Sequence, residues 1–198
     1  HHVTIIERDS LPTGRDNRRG VPQGKHTHGL LASGRETLEK LFPSVGEELV
    51  AGGAFPGDVL QDAVWFMERG CHCKALSGLR GLLMSRPFLE GILRERVRKL
   101  PNVSFRENED VVGLGATRDR THVIGVDTVH GILPADLVVD AAGRGSHSVK
   151  WLEKLGYGAP REERVEIGLS YATRLFGRKG TDLSGDMAAI IPPEPHGT

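Results

Sequence analysis

The chain has 198 residues, 38% apolar and 26% charged, proportions ordinary for a soluble globular protein of one domain or one and a part. Its 26 Lys plus Arg balance 26 Asp plus Glu, so bulk charge points to neither nucleic acid nor an anionic membrane as partner. No apolar run has the length of a bilayer span, no signal peptide is visible, and two cysteines are too few for a disulfide framework; a cytoplasmic protein is expected.

Residues 3–6 are an apolar, β-branched run that reads as a buried strand ending in the charged Glu7, Arg8 and Asp9. The chain starts inside this strand and stops after Ile190, Ile191 and a proline cluster, which reads as a fragment. Residues 10–24 hold three Gly, two Pro and several Arg and read as loop. Over residues 27–42, Leu30, Leu31, Gly34, Leu38, Leu41 and Phe42 fall on one helical stripe. A second short helix is expected over 45–50, closed by Gly52 and Gly53. From 58 to 84 the pattern turns to strands, with Val64, Phe66 and Met67 in one run and Leu82, Leu83 and Met84 in another.

Ser85 reads as a helix N-cap, with Pro87 in the first turn, where its missing N–H costs little. Phe88, Leu89, Ile92, Leu93, Val97 and Leu100 continue at helical spacing, and Pro101-Asn102 stops the helix. Residues 103–105, 111–116, 122–129 and 133–139 read as strands joined by tight turns. A Gly-rich turn over 140–148 and a helix over 148–155 follow. Residues 164–176 alternate enough for a long strand, and 187–191 for another. Strands that alternate with helices and then run into a β-meander predict an α/β fold with an antiparallel addition.

Four features bear on chemistry. Glu7 ends a strand, where a carboxylate can accept two ribose hydroxyls; a solvated strand end is the simpler alternative. The glycine fingerprint of a dinucleotide site does not precede it, since Gly113/Gly115 and Gly143/Gly145 each lack a third glycine. The loop from Arg18 to Leu31 places three cations and two histidines before a helix start. It suits a phosphate or flavin contact, or equally a solvated loop. His26-x-His28 and Cys71-His72-Cys73 invite a zinc reading, but zinc sites gather wider-spaced knuckles, and the cysteines read better as small strand residues. Val138 to Ser146 is an apolar strand entering a turn whose glycines permit close backbone approach. No nucleophile elbow and no His-Glu-x-x-His is present.

In order and spacing, these pieces resemble FAD-dependent monooxygenases and oxidoreductases of the aromatic-hydroxylase and epoxidase-like kind, built on a glutathione-reductase-type Rossmann fold. Four stretches carry the resemblance: Val-Thr-Ile-Ile-Glu-Arg-Asp at 3–9, Arg-Gly-Val-Pro-Gln-Gly-Lys-His-Thr-His-Gly-Leu-Leu at 19–31, Ser-Arg-Pro-Phe-Leu-Glu-Gly-Ile-Leu-Arg at 85–94 and Ala-Asp-Leu-Val-Val-Asp-Ala-Ala-Gly-Arg-Gly-Ser at 135–146. The resemblance implies an FAD-binding domain over 1–56 and 86–150, with an incomplete parallel sheet and an antiparallel β-meander. It implies part of a sheet-based substrate domain over 57–85 and 151–198.

Glu7 would hold the adenosine ribose, and Arg8 would be among the cofactor-binding residues. Lys25 and Arg86 would contact FAD, Val112 would meet the adenine through its backbone, and Gly143 would belong to the turn near the cofactor. The implied reaction inserts one oxygen atom of O2, through a flavin hydroperoxide, into a small hydrophobic, aromatic or alkene substrate. Electrons would come from NADPH or a separate flavin reductase. Ala142-Gly143 replaces the Asp-Gly of typical aromatic hydroxylases. That form also admits a flavin-dependent reductase of the geranylgeranyl-reductase type, and a non-catalytic fragment is a third reading. The family's Gly-x-Gly-x-x-Gly strand and its late Gly-Asp motif would lie outside residues 1–198. A piece lacking them is expected to fold poorly or to bind FAD weakly.

Overall fold

Apolar runs become strands only where a partner ladder satisfies their backbone groups, and the computed structural model, which describes residues 1–192, shows which runs have one. In chain order the strands are β1 (Val3–Glu7), β2 (Thr27–Leu30), β3 (Phe55–Asp58), β4 (Ala63–Met67), β5 (Gly70–Cys71), β6 (Arg80–Ser85), β7 (Val103–Glu107), β8 (Val111–Ala116), β9 (Val123–Thr128), β10 (Gly131–Pro134) and β11 (Ala188–Ile190). The helices are α1 (Ala32–Leu41), α2 (Val45–Ala51), α3 (Arg86–Arg98) and α4 (Ser148–Lys154). The result is a mixed α/β chain with several small sheets, divided into two compact units.

One unit comprises His1–Leu11 and Leu100–Ser170. In it β1 and β7 form a parallel pair, in register from Val3↔Val103 to Glu7↔Glu107. The expected meander follows as an antiparallel sheet in the order β10-β9-β8, and α4 forms as expected.

The other unit comprises Pro12–Lys99 and the chain from Tyr171 onward. Its first sheet has β6 at the centre, with β2 and β3 antiparallel on either side. Its second has β4 at the centre, antiparallel to β5 and parallel to β11. The core joins Leu82 of β6, Val45 and Leu49 of α2, Ala54, and Phe88 and Leu89 of α3, flanked by Leu30, Leu38, Phe42, Met84, Ile92 and Leu93. Full burial stabilises each large aliphatic or aromatic side chain by about 1.5–3 kcal/mol.

Helix α3 begins as its sequence prescribes. Ser85 Oγ accepts the Phe88 N–H at 3.3 Å, and Pro87 sits in the first turn. Its inner face also receives the loop after Pro12. Arg15 lies over the Phe88 ring, 4.0 Å from the centroid, and donates to the Gly52 carbonyl at 3.0 Å. At Gly91 the loop comes so close that a Cβ would stand 2.5 Å from the Gly14 carbonyl oxygen.

Three expected elements take another form. Residues 27–30 are a strand, not the start of a helix, because they pair with β6 from Thr27↔Ser85 to Leu30↔Leu82; the helix begins at Ala32. The strand expected over 133–139 stops at Pro134, and Leu137 and Val139 stand 78% and 76% exposed. Residues 164–176 alternate in apolarity yet form no strand. Neither run has a ladder partner among the described residues, and alternation without a partner does not hold an extended chain.

Asp58 closes β3 and is 2% exposed. Its Oδ1 accepts from Leu60 N at 3.0 Å, Gln61 N at 3.2 Å and Ser77 Oγ at 2.7 Å, and its Oδ2 from Ser77 N at 3.1 Å and Gly78 N at 2.7 Å. The Ser77 hydroxyl, with these N–H groups, outweighs burial and holds the carboxyl far below the usual range.

Two outcomes follow. Gly91→Ala should cost about 1–3 kcal/mol by pushing the loop off α3, read by denaturant unfolding. Asp58→Asn should lower Tm most near neutral pH. The depressed carboxyl stabilises the fold above its ordinary pKa of about 4, and that contribution is lost as pH falls towards the folded value. The Tm gap between wild type and variant should therefore shrink in acid, as thermal melts at several pH values would show.

Candidate functional site

Parallel strands present ligand sites at their carboxyl ends, and β1 and β7 end side by side at Glu7 and Glu107. The loops beyond them are tied together. Asp9 N donates to Glu7 Oε1 at 3.1 Å, Leu11 N to Glu107 Oε2 at 2.7 Å, and Ser10 Oγ to Asn108 Oδ1 at 2.9 Å. Glu109 N donates to the Glu7 carbonyl at 3.2 Å. Arg8 is exposed, its Nη2 3.8 Å from Asp9 Oδ2. Glu109 is 7% exposed, with Arg106 Nη1 at 3.6 Å from its Oε2.

Three residues beyond Glu109, strand β8 carries a bulge. The register steps from Val111↔Thr128 to Gly113↔Asp127, leaving Val112 opposite no residue and 51% exposed. A bulged residue keeps its backbone edge out of the ladder.

In the same unit the turn at Gly143 is organised by Asp140. Its Oδ1 accepts from Ala142 N at 2.9 Å and its Oδ2 from Ser146 Oγ at 2.6 Å. The Ser146 hydroxyl, then the Ala142 N–H, hold the Asp140 carboxyl below its ordinary value. Gly143 adopts φ +62°, and beyond its two chain neighbours no atom of the described residues lies within 4 Å of the place a Cβ would take. Glycine serves the left-handed backbone there, and its open side leaves room for a ligand.

The second unit holds a cationic constellation. The pairing Thr27↔Ser85 brings Lys25 and His26 beside the first turn of α3, which Arg86 opens. Arg86 Nε donates to Glu90 Oε1 at 2.8 Å, and Arg18 Nε to Glu90 Oε2 at 3.0 Å. Burial pushes the Glu90 carboxyl up, but the hydrogen bonds from Arg86 and Arg18 outweigh it and hold it below the usual range. Arg86 and Arg18 share the Glu90 carboxylate, and the exposed Lys25 lies in the loop beside the same helix N-terminus, a setting that suits an anion.

His28 lies against this group. Burial, then the charge on Arg86, lower its imidazole below the ordinary value, with Glu90 opposing. Its Nε2 is buried without a hydrogen-bond partner among the described residues. His26 Nδ1 meets Thr173 Oγ1 at 2.7 Å, and its ring lies 6.5 Å from that of Tyr171.

Of the residues singled out from sequence, Lys25 and Arg86 thus come together in one unit. Glu7, Arg8, Val112 and Gly143 belong to the other, with Glu7 and Val112 joined through the loop at Glu109. Sequence reasoning passed over Glu90 and Asp140. Glu90 stands four residues after Arg86, the spacing of a helical ion pair, and an Asp two residues before a turn N–H is an Asx-turn signal. Neither Arg18 nor the buried Nε2 of His28 had any such local signal. No group of three or more His, Cys, Asp or Glu among the described residues is arranged to hold a metal. No helix among them is long and apolar enough to cross a membrane.

One unit thus presents a carboxylate at a strand end, a bulge and an open glycine turn, and the other a cationic helix start. No family model matches the chain. Protein Rv3254 of Mycobacterium tuberculosis (strain ATCC 25618 / H37Rv) is 36% identical to it over 88% of this chain and 40% of the relative. The chain thus spans about two fifths of the length of that relative. A crystal structure of PqsL from Pseudomonas aeruginosa, described as a probable FAD-dependent monooxygenase, superposes with a TM-score of 0.56 at 15% identity, over 83% of this chain and 41% of that one. A variant of PqsL with four substitutions gives 0.58 at 16% identity, over 83% and 42%. Over 83% of its length, then, the chain has the fold of PqsL.

Proposed function

We propose that the chain is part of an FAD-dependent monooxygenase that inserts one oxygen atom of O2 into a small hydrophobic molecule, an aromatic ring or an alkene. The observation that supports this reading most is the cationic start of α3, where Arg86 and Arg18 both bond Glu90 and the Thr27↔Ser85 pairing brings the loop of Lys25 alongside, on a fold shared with PqsL. FAD carries a pyrophosphate, and such an edge attracts it. When bound, the flavin supplies the redox chemistry and the activation of O2; the protein binds, orients and shields it.

Each residue then has a stated task. Glu7 accepts hydroxyls of the adenosine ribose, and Arg8 beside it adds a cation at the same strand end. Val112 offers its backbone edge to the adenine, and Gly143 lets its turn approach the cofactor without a side chain. Lys25 and Arg86 neutralise the phosphates, with Glu90 holding the Arg86 guanidinium in place. The β1–β7 pair is part of a Rossmann-like FAD-binding domain over 1–56 and 86–150. Residues 57–85 and 151–198 contribute to a substrate domain, and electrons come from NADPH or a separate flavin reductase.

The test is an FAD titration of this chain, followed by flavin fluorescence. Glu7→Gln and Arg86→Ala should each weaken binding about tenfold, equivalent to about 1.4 kcal/mol. Arg86→Ala should also raise the titration midpoint of His28 in NMR spectra, because the cation that depresses it is gone; retained dispersion of the backbone amide signals in the same spectra shows that the site is still folded. An absence of saturable binding by a version extended upstream through the Gly-x-Gly-x-x-Gly turn, or variants of it that bind as tightly as its wild type, would count against the cofactor assignment.

A further inference from the structure

Outside the residues assigned to the cofactor, the β4–β5 hairpin carries two free thiols, and both are exposed. Cys71 and Cys73 flank His72 on the outgoing arm. His72 N donates to the Trp65 carbonyl at 2.9 Å, which keeps the arm extended as far as the residue between the two sulfurs. Residues two apart on an extended chain point their side chains to the same face. At a rise of about 3.3 Å per residue their Cα atoms lie about 6.6 Å apart. That separation is at the wide end of the window of about 4.4–6.8 Å for the Cα atoms of a disulfide, and closure requires the arm to bend until the Cβ atoms are about 3.5–4.5 Å apart.

The local structure can absorb the remaining movement. β5 ends at Cys71, so Cys73 lies beyond regular structure. The stretch after it is anchored further on, at Lys74 by its ion pair with the buried Asp186 and at Ser77 by its bonds to Asp58. Cys71, His72 and Cys73 line an open groove of about 890 Å³ together with Phe66, Met67 and Ile191. A small oxidant therefore reaches both sulfurs from one side. A metal is the weaker occupant, since no third ligand gathers with the two thiols among the described residues.

We propose that Cys71 and Cys73 are an oxidant-responsive dithiol that closes to a reversible intrachain disulfide, with hydrogen peroxide as the oxidant. One thiolate attacks a peroxide oxygen; the O–O bond breaks, leaving a sulfenic acid and, after protonation, water. The second thiol then attacks the sulfenic sulfur. The S–S bond forms, the S–O bond breaks, and the oxygen leaves as a second water. In sum the two thiols lose two electrons and two protons, and one peroxide becomes two waters. An exposed disulfide at the limit of its geometry belongs to the easily reduced kind, so a small dithiol reverses the change. Closure draws Cys73 towards Cys71 and bends the arm at His72 against its bond to Trp65, so the groove wall differs between the two redox states. This site does not depend on the flavin reading.

The test uses the full chain, reduced, freed of reductant and exposed to peroxide. Trypsin cuts after Arg69 and Lys74, releasing residues 70–74 with both cysteines on one peptide. The peptide should be lighter by two hydrogens and resist alkylation until dithiothreitol is added. Cys71→Ser and Cys73→Ser should each abolish that loss. In a Trp151→Phe background, where Trp65 is the remaining tryptophan, fluorescence should shift on oxidation and return on reduction, and Cys73→Ser should remove the shift. A wild-type peptide that only gains oxygen, or disulfides found only between two chains, overturns the proposal. Unchanged Trp65 fluorescence on closure of the disulfide overturns the change in the groove wall.

Discussion

The junction at Ser85, where β6 gives way to α3, is the constraint on which most of one unit depends. Ser85 satisfies the first turn of the helix through its hydroxyl and pairs with Thr27 through its backbone. The sheet strand, the helix start and the loop before β2 are thus held within a few residues of one another. Phe88 and Leu89 turn inward against Leu82, Leu49 and Val45. The polar residues of the same turn, Arg86 and Glu90, face the loop that carries Arg18 and Lys25. A helix that buries one face and directs its first N–H groups outward creates packing and an anion-attracting edge in a single element.

Charge at that edge is arranged rather than merely accumulated. Glu90 takes one hydrogen bond from Arg86 and one from Arg18. This orients two guanidinium groups and lowers their mutual repulsion. His28 beside them is kept towards its neutral form by burial and by Arg86. A neutral imidazole adds no further repulsion.

The other unit shows a different economy. Its parallel pair and its meander bury few large side chains, with Val126 the clearest. Its polar features are loops fixed by backbone N–H groups on carboxylates: Asp9 on Glu7, Leu11 on Glu107, Ala142 on Asp140. Such bonds set loop shape locally and leave a strand end, a bulge and a glycine turn open on the surface.

Local rules in the sequence determined the elements whose causes are local. The cap at Ser85, the stripe from Phe88 to Leu93, the stop at Pro101, the meander and the short helices 45–51 and 148–154 formed where the spacing placed them. Glu7 stood out at a strand end and Lys25 in a cation-rich loop, while Arg86 was singled out only through the family resemblance. What the tertiary structure alone decided was pairing. Residues 27–30 became a strand because β6 supplied a ladder, while 137–139 and 164–176, equally apolar and alternating, formed none. The bulge that frees Val112, the reach of Arg18 to Glu90 and the press of the loop on Gly91 were likewise invisible in the chain. The physical reason is the same in each case. A helix satisfies its hydrogen bonds within its own sequence, whereas a strand, a bulge or a long-range ion pair exists only through a partner that sequence spacing does not name.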